Sequence, residues 1–163
     1  MTEDHNVDGF DCGDEDINEF LKEWALKYNS LKYARTYVMV NEENGDIIAY
    51  ATVLNGVVEL TDLDTTDFPC FPYPRMPAVL LARVGRDTEY RGKGLGKEMI
   101  LYCIGLAHDL SESVGCRLAV VDSYTDRVKL YEDLGFVRCS EEEPEEDGER
   151  KTVKLYYDLV VEA

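Results

Sequence analysis

Val79-Leu-Leu-Ala-Arg-Val-Gly-Arg-Asp-Thr-Glu-Tyr-Arg-Gly-Lys-Gly-Leu-Gly96 is the stretch on which the fold turns. Val79 to Val84 is an apolar run of strand character, and it leads into a turn with glycine at every second position, Gly92, Gly94 and Gly96. Without side chains, successive backbone N–H groups can converge on a diphosphate, and a helix opening near Leu95 adds the positive end of its dipole. Arg91, Lys93 and Lys97 place cations beside the same turn. The spacing is neither that of the nucleotide-triphosphate loop, Gly-x-x-x-x-Gly-Lys-Ser/Thr, nor the six-residue dinucleotide fingerprint.

Downstream, an amphipathic helix is expected from about Leu95 to Ser113, then a strand over Arg117 to Val121 and a helix over Asp126 to Leu134. Strands over Phe136 to Cys139 and Thr152 to Val161 follow, joined by the acidic link Glu141 to Arg150. Upstream, apolar residues at Ile17, Phe20, Leu21, Trp24, Tyr28 and Leu31 fall on one face of a 3.6-residue repeat, which predicts a core-facing helix capped by Asp14. Thr36 to Val40 and Ile47 to Val53 flank Asn44-Gly45 and read as a hairpin. Val57 to Leu60 extends that sheet, and Thr61 to Pro77, rich in Pro, Asp and Thr, reads as a long loop. The element order implies an α/β fold with a mixed sheet and helices on both faces.

With 163 residues and 45% hydrophobic content, one domain spanning 1–163 is expected. No apolar run reaches membrane-spanning length and no secretory leader is visible, so the expected location is the cytoplasm, with no membrane partner. Five scattered cysteines, Cys12, Cys70, Cys103, Cys116 and Cys139, without a Cys-x-x-Cys pair, read as reduced thiols rather than metal ligands, so no metal site is expected. The formal charge of −17 disfavours non-specific nucleic-acid binding, although a local basic groove remains compatible with the count. The same acidity suits solubility in a high-salt cytoplasm.

The Arg91-Gly-Lys-Gly-Leu-Gly96 turn together with Leu130-Tyr-Glu-Asp-Leu-Gly-Phe136 resembles the GNAT superfamily of N-acetyltransferases that use acetyl-CoA. The resemblance covers Val79 to Cys139 well and implies a mostly antiparallel central sheet with one splayed strand pair that holds the cofactor arm. On that basis the main chain of Val84, Gly85 and Arg86 binds the pantetheine, and the pyrophosphate lies on the amides of Arg91, Gly92, Gly94, Leu95 and Gly96, with Lys93 and Lys97 nearby. Tyr131 stands where the family often places the phenol that protonates the departing thiolate; a reference pKa near ~10 keeps a phenol protonated at neutral pH. One departure is Tyr124, seven residues before Tyr131, where the family commonly has an Asn on the cofactor arm; Ser123 or Arg127 is the substitute. Glu59, Asp122 or a water chain stands open as general base. His5 and His108 lie away from the motifs, against Ser-His-Asp or Cys-His catalysis.

The acceptor amine stays open between classes. Phe10-x-Cys-Gly13, Ile17-x-x-Phe20-Leu21, Arg35-Thr36 and Pro77 to Arg83 resemble the acetyltransferase toxins of toxin-antitoxin pairs, which implies the α-amine of aminoacyl-tRNA. The lack of an obvious base favours an amine of low pKa, since a lysine-type amine is neutral only to about one part in a thousand near pH 7.4. Against this, Asp62 to Asp67 and Glu141 to Glu149 would attract a polyamine or a lysine-rich protein tail. Arg83 is suited either to an acceptor carboxylate or phosphate or to a neighbouring acid. A non-catalytic CoA-binding or antitoxin-binding regulatory module is the other class, and a homodimer is implied by resemblance alone.

Overall fold

The computed structural model describes residues 1–68, 71–139, 145–147 and 150–160. Cys70, Val161 and most of the link at 141–149 therefore lie outside the described residues. The elements are α1 (Glu15–Glu19), a π-helical segment (Phe20–Trp24), α2 (Ala25–Ser30), β1 (Arg35–Val40), β2 (Ile47–Glu59) and β3 (Arg75–Arg86). They continue with α3 (Leu95–Ser113), β4 (Leu118–Tyr124), α4 (Val128–Glu132), β5 (Val137–Arg138), β6 (Glu145–Asp147) and β7 (Arg150–Asp158). The strands are ordered β1-β2-β3-β4-β7-β5, with β6 on β7. The β1–β2 and β4–β7 pairs and both partners of β7 at its other positions are antiparallel, whereas β3–β4 is parallel. This is the mostly antiparallel mixed sheet that the element order implies.

The chain forms two compact units. The first, Met1–Leu54 with Leu81–Cys103, contains the hairpin and the glycine turn. Its core gathers Phe10, Leu21, Ala25, Ile47 and Tyr50, all nearly or fully buried. The Tyr50 hydroxyl donates to the Ile17 carbonyl at 2.7 Å, which satisfies a polar tip inside an apolar site. Burial raises that phenol's pKa far above its ordinary value. Across the hairpin the buried Thr36 and Thr52 hydroxyls pair at 2.8 Å, directly opposite in register, and Gly45 turns the chain at φ +78°.

The N-terminal helix departs from expectation. Asp14 does cap it, accepting from the amides of Asp16 and Ile17. A continuous 3.6-residue repeat, however, is interrupted by the π-helical segment, whose wider turn buries Ala25 beside the expected Leu21. Trp24 and Leu31, expected in the core, are 41% and 48% exposed, while Ile17, Phe20 and Tyr28 are half-buried.

The second unit, Asn55–Leu80 with Ile104–Ala163, is centred on Val58, Met76, Leu118, Val120 and Tyr156. The expected loop at Thr61 to Pro77 instead contains short 3-10 turns at Leu60–Asp62 and Thr65–Asp67, and β3 already begins at Arg75. The parallel pair is in register over Ala78–Leu80 and Leu118–Val120. Beyond that register, β3 runs on to Arg86 and β4 to Tyr124, the pattern expected of a splayed pair.

Candidate active site

In the first unit β3 ends in a turn built around Asp87. This carboxylate is 7% exposed and accepts from the Glu89 amide at 2.8 Å and from the Asp11 amide at 2.9 Å. In return the Thr88 amide donates to the Asp11 carbonyl at 2.9 Å, and the Asp87 amide to the Ile48 carbonyl at 2.8 Å. The N-terminal segment, β2 and the entry to the glycine turn are thereby pinned at one residue. Sequence reading missed Asp87 because its decisive partner is 76 residues away; the local signal was an Asx-type cap, Asp87-Thr-Glu89, at a strand end.

A single 3-10 turn, Thr88–Tyr90, follows, and the Arg91 amide closes it on the Thr88 carbonyl at 3.2 Å. That amide is thus engaged, which leaves the Arg91 guanidinium as the group this residue can offer an anion. Gly92 and Gly94 have φ +80° and +75°, and no heavy atom lies within 4 Å of a Cβ added at either. Left-handed backbone and open space together explain glycine here. The Gly94 carbonyl accepts from Lys97 and Glu98 as α3 begins. Among the described residues, the amides of Gly92, Gly94, Leu95 and Gly96 have no protein acceptor. Unpaired helix-entry amides beside exposed Arg91, Lys93 and Lys97 form an anion cradle, which fits the diphosphate of acetyl-CoA.

The neighbouring side chains are held in place. Lys93 Nζ lies 5.2 Å over the Tyr90 ring, whose hydroxyl accepts from Asn41 Nδ2 at 3.1 Å. Arg86 donates to the Asp87 carbonyl at 2.6 Å and lies 3.8 Å from a Cβ added at Gly96. Val84 is half-buried. Gly85 is of another kind, for a Cβ there would meet Ile17 Cγ2 and Tyr50 Cε1, each at 2.9 Å. Arg83 is exposed, donates to the Ala82 carbonyl at 2.8 Å and stacks 5.5 Å over the Phe20 ring.

In the second unit Tyr131 lies on α4, 6% exposed, with its ring edge-on to Phe136 at 5.4 Å. Gly135, at φ +93°, ends this helix, and the Phe136 amide returns to the Tyr131 carbonyl at 3.1 Å. The Leu130–Phe136 motif is therefore a short helix with a left-handed glycine stop that fixes one tyrosine. Ser123 is buried and donates to the Tyr124 carbonyl at 3.0 Å, and Arg127 pairs with Asp126 at 3.4 Å. Glu59 accepts from Arg75 at 2.7 Å in an exposed ion pair. Asp122 is exposed on β4. His108 contacts the Tyr157 ring at 6.4 Å and His5 bonds Thr2. Among the described residues no cluster of His, Cys, Asp or Glu could hold a metal ion, and no helix is long and apolar enough to cross a membrane.

Residues 2–136 match the Acetyltransferase (GNAT) family. The chain is 25% identical over 141 residues to a "Probable toxin TacT" of Sinorhizobium fredii, spanning 81% of this chain and 78% of that protein. It is 23% identical over 131 residues to a "tRNA-acetylating toxin" of Mycobacterium tuberculosis, covering 80% and 77% of the two. Its fold is similar to that of AtaT complexed with acetyl-methionyl-tRNAfMet, with a TM-score of 0.83, 23% identity and coverage of 96% and 89%. The strand, glycine turn and helix, the tyrosine fixed by its left-handed glycine, and a match across most of the chain make this protein a member of the GNAT family, an N-acetyltransferase dependent on acetyl-CoA.

Proposed function

We propose that residues 1–163 work in the cytoplasm as one domain that acetylates the α-amine of an aminoacyl-tRNA. The observation that carries this reading is that two curated relatives bear the names of toxins, one of them named for acetylating tRNA. Two structural facts support it. The acids at Asp62 to Asp67, which a cationic acceptor would have to find free, are engaged at home: Asp62 with Lys154 at 3.5 Å, Asp64 with Thr66, and Asp67 with the Tyr156 hydroxyl at 3.4 Å. Residues 83–97 carry Arg83, Arg86, Arg91, Lys93 and Lys97 against only Asp87 and Glu89, a basic stretch in a chain of charge −17.

Bound acetyl-CoA supplies the thioester that the amine attacks. In this reading the open amides of Gly92, Gly94, Leu95 and Gly96, with the side chains of Arg91, Lys93 and Lys97, hold the diphosphate, and the main chain of Val84, Gly85 and Arg86 orients the arm. The Tyr131 phenol donates the proton taken up by the departing thiolate, and the proton that the attacking nitrogen loses as the amide forms restores the phenol through solvent. An α-amine is substantially neutral near pH 7.4, so it needs little help from a base. Tyr131→Phe is expected to lower kcat by about 100-fold or more, the low end for a positioned acid, with acetyl-CoA affinity unchanged. Unchanged kcat would remove Tyr131 from the mechanism.

The acceptor is tested by offering labelled acetyl-CoA with charged tRNA, polyamines and a lysine-rich peptide, at low and high salt. Label in tRNA supports the reading. Label confined to polyamine or peptide would replace it with the second reading, favoured by the charge of −17, that the acidic surface attracts a cationic acceptor.

A further inference from the structure

From Phe20, which packs on the edge of the core, the π-helical segment leads into a row of aromatic rings that runs outward to solvent. Within the first unit, Phe20 meets Tyr28 at 5.4 Å, and Tyr28 meets Trp24 at 6.4 Å and Tyr33 at 5.7 Å, all edge-to-face. Trp24 is 41% exposed and Tyr33 64%. Cations accompany the row: Arg83 stacks on Phe20 at 5.5 Å and Lys27 on Trp24 at 5.1 Å. From Phe20 to Arg35 the sequence has Lys22, Lys27, Lys32 and Arg35 but Glu23 as its one acid, in a chain where acids outnumber bases two to one. Lys32 adopts φ +60°, a left-handed conformation that ordinarily favours glycine. That turn brings the Tyr33 amide back to the Tyr28 carbonyl at 3.0 Å and sets the Tyr33 ring on Tyr28. Strain at one residue thus holds an exposed ring in place.

The row begins at Arg83, directly before Val84, Gly85 and Arg86, and ends at two exposed rings beside lysines. We propose that Trp24, Tyr28 and Tyr33, with Lys27 and Lys32, form a stacking track for unpaired bases at the single-stranded 3′ end of the acceptor RNA. Exposed rings interleaved with cations suit unstacked bases with their phosphates, since every base presents a π-face and the cations meet the backbone. A duplex offers no unstacked base to such rings. The inference rests on the aminoacyl-tRNA reading above and assigns it an RNA-binding surface.

Trp24 is the sole tryptophan, so its fluorescence reports on the track directly. The full-length protein would be titrated with an uncharged ribotetranucleotide, ACCA, with the same sequence held in a duplex, and with an abasic tetranucleotide of equal charge. Saturable quenching by ACCA alone is expected. Tyr33→Ala is expected to weaken ACCA binding roughly 5- to 150-fold, the range for one base stacked on one ring, while Tyr33→Phe retains it. With aminoacyl-tRNA as acceptor, Tyr33→Ala should raise its KM and leave the KM of acetyl-CoA unchanged. Equal quenching by the abasic strand, or unchanged affinity and KM in Tyr33→Ala, would overturn the track. Trp24 quenching that grows with protein concentration in the absence of RNA would likewise overturn it, marking the rings as an interface between copies of the chain. ACCA binding without acetyl transfer to aminoacyl-tRNA would uphold the track while overturning the acceptor assignment, so the two readings fail separately.

Discussion

Gly85 and Gly94 lie in one short stretch of chain, yet they are glycine for opposite reasons. Gly85 is packed: a methyl group there would press within 2.9 Å of Ile17 and Tyr50 and 3.2 Å of Phe10. Gly94 is open: its constraint is a φ of +75°, with nothing within 4 Å of the space a side chain would take. The first glycine lets the end of β3 press against the aromatic wall of the core. The second leaves backbone amides bare to an anion. Composition cannot separate the two, because a core and a binding site both call for a missing Cβ.

The largest effect is expected from Gly94→Glu, which adds a negative charge at the turn proposed to hold the cofactor's phosphates. Like-charge juxtaposition costs several kcal/mol, so isothermal titration should show acetyl-CoA affinity reduced by about 100-fold or more, with the fold retained. Retained affinity would mean that the open turn is not the phosphate site. Gly85→Val should do the reverse, with overpacking that costs about 1–3 kcal/mol in urea denaturation and a loss of acetyl-CoA affinity smaller than that of Gly94→Glu. A loss of binding without a loss of stability at Gly85 would break the contrast.

Asp87→Ala tests the joint between these regions. It removes a buried acceptor of two amide bonds, and a loss of about 1–3 kcal/mol is expected, with Asp87→Asn milder because one oxygen remains. The smallest effect concerns thiols. Burial pushes Cys103 from 9.0 up to about 12, so at pH 8 it stays a protonated, shielded thiol and should not react with a disulfide reagent until the protein unfolds. Because the folded pKa is the higher one, the stability tied to this thiol is complete below pH 9 and lost as pH rises through about 12. Burial also raises the pKa of Cys12, half-buried beside the aromatic wall, and its reaction should quicken in Gly85→Val as that wall loosens.

Local patterns in the sequence carried the hairpin, the strand-turn-helix corner and the Leu130–Phe136 stop, since each depends on residues a few positions apart. Physical reasons hide the rest. The expected core face at Trp24 and Leu31 failed because a π-helical segment changes the period, and no residue type announces such a segment. The part of Asp87 as a joint was hidden because its partner, Asp11, is remote in sequence, although its local cap on Glu89 was legible. The Glu59–Arg75 ion pair was hidden because the two residues lie on different strands. The packing of Gly85 against Phe10, Ile17 and Tyr50 was hidden because those residues come from three separate parts of the chain.

The basic stretch at residues 83–97 inside a chain of charge −17 has a kinetic consequence. A polyanionic ligand approaching in dilute buffer, where the Debye length reaches about 30 Å at 0.01 M, feels the repulsion of the whole chain. At physiological ionic strength that range shrinks to about 8 Å, and what remains within reach at the proposed phosphate site is the local cluster of arginine and lysine. Added salt should therefore accelerate capture of acetyl-CoA up to the point where the local cations are themselves screened, giving an association rate with a maximum in ionic strength rather than a monotonic fall.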